Sequence, residues 1–78
     1  MKKSLYVIKD TEANACGPVM DFKNDVVSKR YYRKVVEEQK IDTSVFRLLK
    51  IADFDDESGL VFQLAEPIDI TADLESVE

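Results

Sequence analysis

Seventy-eight residues with sixteen acids against eleven bases, no histidine, one cysteine and two glycines leave room for a single small acidic domain. Without histidine the commonest general base and metal ligand are gone, and one cysteine can build neither an internal disulfide nor a structural zinc site. Two glycines supply no phosphate-cradling loop, so no catalytic residue, metal or cofactor is expected and the chain reads as a binding protein, not an enzyme.

In chain order, residues 5–9 (Leu-Tyr-Val-Ile-Lys) are β-branched and aromatic enough for a first strand. The opening resembles a signal peptide until Lys9 and Asp10 cut its apolar run short. No stretch approaches the ~20 apolar residues of a spanning helix, so no membrane partner is expected. Cys16-Gly17-Pro18 marks a turn, with Cys16 a small apolar filler suited to a reducing compartment. Residues 19–22 follow as a short second strand.

Residues 24–40 carry the helix. Asn24 or Asp25 offers the N-cap. Val27, Tyr31 and Val35 recur every four residues, flanked by Tyr32 and Val36, which gives an apolar stripe. On this phase Tyr31 belongs to the core and Tyr32 lies near the boundary, open to solvent. Residues 45–54 make a long strand, with Phe46, Leu48, Ala52 and Phe54 on one face and Leu49 and Ile51 on the other. Asp55-Asp56-Glu57-Ser58-Gly59 turns the chain, with glycine at the left-handed position, and residues 60–64 return as a hairpin. Pro67 interrupts, Ile68-Asp69-Ile70 offers a short edge strand, and an acidic tail follows.

The fold class is therefore α+β, a small antiparallel sheet in ββαββ order with one helix packed on one face. Residues 1–66 form the domain, and residues 67–78 an acidic edge strand or flexible tail. The uncovered sheet face, holding Leu49 and Ile51, predicts a homodimer.

Charge is unevenly distributed. Residues 23–40 hold six bases against three acids, whereas residues 41–78 hold two bases against ten acids. Lys29-Arg30-Tyr31-Tyr32-Arg33-Lys34 sets two aromatics among four bases, a mixture that suits nucleic acid: cations meet phosphates and aromatic faces stack on unpaired bases. Lys29, Arg30, Tyr32, Arg33 and Lys34 are the candidate contacts, against the alternative of an ordinary solvated helix face. The acidic cluster Asp53, Asp55, Asp56 and Glu57 does not fit a calcium-binding loop: Gly59 is seventh from Asp53, not sixth, and the twelfth residue is Leu64.

Tyr6-Val7-Ile8-Lys9-Asp10-Thr11-Glu12-Ala13, with Pro18 shortly after, resembles the start of the small nonstructural protein of gokushoviruses, tailless single-stranded DNA phages of the microvirus group. The run from Phe46 through Phe54-Asp55-Asp56-Glu57-Ser58-Gly59 is similar to that family's hydrophobic strand and acidic turn. The resemblance implies a DNA-binding role in the cytoplasm of the bacterial host, when single-stranded genomes are made and packaged. The alternative is a module that binds a capsid, replication or host protein through the acidic hairpin and tail.

Overall fold

A computed structural model of the chain describes residues 2–71. The elements are β1 (Lys2–Asp10), β2 (Ala15–Cys16), β3 (Met20–Phe22), α1 (Asp25–Gln39), β4 (Phe46–Asp55) and β5 (Val61–Asp69). The fold is α+β, with one helix on a curled antiparallel sheet. The ββαββ order is corrected by an extra strand, β2. Its cause is local: the Asp10 carboxylate accepts from the amides of Glu12 (3.0 Å) and Ala13 (3.1 Å), and Asn14 adopts a left-handed φ of 55°. The turn so formed returns Ala15 and Cys16 against Asp10 and Lys9. Cys16, read as a filler, is exposed.

The strands run in the order β2-β1-β4-β5, and β3 also pairs with β1. One edge of β1 is thus shared by β2 near Lys9 and β3 at Ser4–Tyr6, while β4 runs along the other. The hairpin of β4 and β5 closes as the sequence indicates: Gly59 has φ 78°, and its amide donates to the Asp55 carbonyl at 2.8 Å.

Strict alternation along β4 fails at Ile51. Leu5 pairs with Ala52 but Tyr6 with Lys50, so Ile51 is an extra residue, a β-bulge that reverses which side chains face the helix. Leu48 and Phe46 lie on the helix side with Ile8 and Asp10, whereas Ala52 and Phe54 share the far side with Leu5 and Lys3. The single face drawn through Phe46, Leu48, Ala52 and Phe54 is therefore two faces.

A second irregularity lies across from it. Ala52 pairs with Gln63 and Lys50 with Ile68, so residues 64–67 bow out of the ladder. Pro67 sits in this bow, where it need not donate a hydrogen bond. Ile68 and Asp69, read as a separate short strand, are the second half of β5. Beyond them Ile70 is 3% exposed and packs into the core, while Thr71 is buried and bonds to the main chain of Leu48. Residues 72–78, the rest of the acidic tail, lie outside the described residues.

Tyr6, Tyr32, Leu48 and Ile70 form the core between helix and sheet, with Ile8, Phe22 and Val36 packed around them. Two of the four are tyrosines, and a phenol can be buried only if its hydroxyl finds a partner. The Tyr6 hydroxyl donates to Asp25 at 2.6 Å, and the Tyr32 hydroxyl donates to the carbonyl of Phe46. These bonds tie the start and the middle of the helix to the sheet.

Candidate nucleic-acid interface

The helix begins where Asn24 accepts from the Val27 amide at 3.0 Å and ends at Lys40, left-handed with φ 52°. Its rotation about its own axis decides which side chains can meet a ligand. The row that faces the sheet is Ser28, Tyr32 and Val36, one residue out of phase with the stripe read from Val27, Tyr31 and Val35. Ser28 is fully buried, and its hydroxyl donates back to the Asp25 carbonyl at 2.8 Å. A small residue at that point lets the helix approach closely, and its own bond removes the cost of burying a polar group.

The rotation exchanges the roles of the two tyrosines. Tyr32 has no exposed surface, and burial pushes its phenol above the usual range. It cannot stack on a base while the domain is folded, so its place among the candidate contacts is withdrawn. Tyr31 keeps 43% of its surface, with one side of its ring against Phe22 at 5.3 Å between centroids. It is the aromatic group of this helix that a base can reach.

The four bases divide in the same way. Arg30 and Lys34 are exposed and stand one turn apart, about 6 Å along the axis. Lys29 and Arg33 are half-buried and engaged by other groups of the chain. Lys23, just before the cap, is exposed as well. The structure thus brings Arg30, Tyr31 and Lys34 to the outward side of the helix. Sequence reading missed Tyr31 because a hydrophobic count treats Ser28 as polar and so turns the helix by one residue; Lys23 lies before the helix, outside the run 29–34 from which the candidates were drawn.

Beside the helix start, Lys2, Lys3, Lys23 and Lys50 line a shallow cleft of about 500 Å³ with Asn24, Asp25 and Asp53. Two of these lysines are committed to carboxylates. Lys50 lies 3.9 Å from Asp25 and 3.7 Å from Asp53, and Lys3 lies 3.4 Å from Asp21. Burial first, and then the bond to Asp25, push the Tyr6 phenol up to about 12. This network fixes the helix to the sheet; its charges largely cancel and add little positive field.

The acidic turn spreads its carboxylates apart. Asp53 accepts from Ser4 at 3.4 Å, Asp55 accepts from the Glu57 amide at 3.0 Å, and Asp56 lies 4.0 Å from Lys3. The Glu57 amide and the Ser58 hydroxyl hold the Asp55 carboxyl below its ordinary range. Among the described residues, no group of three or more His, Cys, Asp or Glu is arranged to hold a metal ion. Nor, among them, is any helix long and apolar enough to cross a membrane.

Comparison with curated proteins and with solved structures finds no match. A family model does match: residues 3–77, nearly the whole chain, fit that of the phage ORF5 protein, and the chain belongs to this bacteriophage family.

Proposed function

We propose that the chain is a non-enzymatic accessory protein of a gokushovirus that binds single-stranded DNA in the cytoplasm of the bacterial host during genome replication or packaging. The observation that carries the reading is the outward pair Arg30 and Lys34, exposed beside the half-open ring of Tyr31. Cations at this spacing neutralise successive phosphates, and the ring offers a base a flat apolar face. The phage family and the resemblance to single-stranded DNA phages support the same reading.

Fluorescence anisotropy of a short labelled oligothymidylate tests it. Three phosphate contacts, by Lys23, Arg30 and Lys34, give a slope of about −2 for log affinity against log salt, a loss of roughly 20-fold between 50 and 200 mM. With Arg30→Gln and Lys34→Gln together, one contact remains and the loss shrinks to roughly threefold. Tyr31→Ala weakens binding by about 1–3 kcal/mol if a base stacks there. An unchanged salt slope in the double variant removes the helix from the proposal.

A second reading, a protein-interaction module, is favoured by a different observation. Leu60, Val61, Phe62 and Ile68 are each at least half exposed along the hairpin edge.

A further inference from the structure

Each strand edge in a sheet presents main-chain donors and acceptors that must meet water or another strand. Here the two edges are treated differently. The outer edge of β1 is covered by β2 and β3, whereas β5 ends the sheet and no described strand pairs with its outer side. Residues 60–65, Leu-Val-Phe-Gln-Leu-Ala, contain no charge and no proline, the usual devices that keep an edge from pairing. Those devices begin only at Glu66 and Pro67, within the bow.

The ladder fixes which groups point outward. The Asp55 amide donates to the Leu60 carbonyl at 2.9 Å, so this pair is hydrogen-bonded. Pair types alternate along an antiparallel ladder. Asp53 with Phe62 is then bonded, while Val61 (opposite Phe54) and Gln63 (opposite Ala52) turn their amides and carbonyls away from β4. Val61 and Gln63 thus offer two donors and two acceptors at the spacing a further strand needs. Beside them, on the face away from the helix, Leu5, Val19, Ile51, Val61, Leu64 and Pro67 line an apolar groove of about 370 Å³. Phe62, 50% exposed, offers apolar surface on the other side of the edge.

Charge decides the occupant. Asp55, Asp56 and Glu57 stand at one end of the neutral segment and Glu66 at the other, while Asp69, farther on, is already paired with Arg47 at 2.9 Å. A second copy is a poor fit: an antiparallel pair centred on Phe62 brings the acidic turn after Asp55 of each copy toward the end of the neutral segment, at Glu66, of the other, like charge against like. We infer that the outer edge of β5 takes up, by strand addition, an extended segment of another protein with an apolar centre and basic residues at both ends. Main-chain bonds to Val61 and Gln63 supply register, the groove takes alternate apolar side chains, and the carboxylates at either end select for bases. The inference does not depend on DNA binding by the helix.

The test uses the full chain, isotopically labelled, and two blocked peptides, KKVTVTVKK and EEVTVTVEE. The basic peptide is expected to shift the amides of Val61 and Gln63 and protect them from hydrogen exchange, and to bind about tenfold or more tighter than the acidic one at low salt. Gln63→Pro removes one outward donor without touching the ladder to β4, and is expected to abolish these shifts while the amides of β1 and β4 keep their positions. If that variant fails to fold, Phe62→Lys serves instead; its added cation lowers affinity for the basic peptide. Equal binding of both peptides, or shifts centred away from β5, overturns the inference. So does sedimentation as a dimer with the Val61 and Gln63 amides already protected, which assigns the edge to a second copy.

Discussion

Removing one oxygen from Tyr32 tests the rotation of the helix, on which the assignment of the outward surface rests. Tyr32→Phe keeps the ring and its packing against Tyr6, Leu48 and Ile70 but deletes the hydroxyl that donates to the Phe46 carbonyl. The lost bond and the acceptor left facing an apolar ring together cost about 1.5 kcal/mol. In a domain this small that lowers the melting temperature by about 6–12 °C. Tyr31→Phe is the matched control. Its hydroxyl has no partner among the described residues and its ring is 43% exposed, so the cost stays within about 0.5 kcal/mol. Urea unfolding followed by far-ultraviolet circular dichroism reads both variants, with an unchanged slope confirming that the unfolded state is not altered. Equal costs, or a larger cost for Tyr31→Phe, would show that the stripe through Val27, Tyr31 and Val35 faces the sheet, and the outward surface described above would be wrong.

Two further outcomes follow from the helix ends. Lys40 holds a left-handed φ of 52° at the helix terminus, so Lys40→Gly should stabilise the domain by about 0.5–1 kcal/mol, read as a raised urea midpoint. At the other end the fold raises the Tyr6 phenol from its ordinary 10.0 to about 12, first by burial and then through Asp25. A raised folded value means the neutral phenol is the favoured form. Its contribution is therefore complete below the ordinary tyrosine value and is lost as pH rises through about 12. Tyrosinate absorbance should show two late-titrating phenols, Tyr6 and Tyr32, of which one is lost in Tyr6→Phe; a variant that still shows both contradicts the assignment.

Much of the fold was legible because it rests on local signals. The Asn24 cap, the glycine that closes the acidic turn and the long β-branched and aromatic strand before it each act within a few residues. What escaped the sequence was set by contacts between distant segments. The bulge at Ile51 exists because β1 and β4 pair around it, and no composition signal marks one residue of a long apolar strand as extra. Ile70 belongs to the core because the bow at residues 64–67 returns the chain to Leu48, 22 positions earlier in sequence. The candidate site was half legible. Residue types and their clustering pointed to the helix, and Arg30 and Lys34 are indeed outward. Its phase depended on Ser28, whose burial is permitted by a back-bond to its own helix and cannot be seen in a hydrophobicity pattern.

The unequal treatment of the two sheet margins also bears on assembly. Most of the β1 margin is occupied by β2 and β3, so a strand that docks on β5 meets a sheet with little room to grow on the opposite flank. The stoichiometry of such a complex is then one guest per chain. Stacking of whole copies margin to margin, which needs a long open strand on both flanks, is thereby hindered, because the β1 flank offers only the short strands β2 and β3.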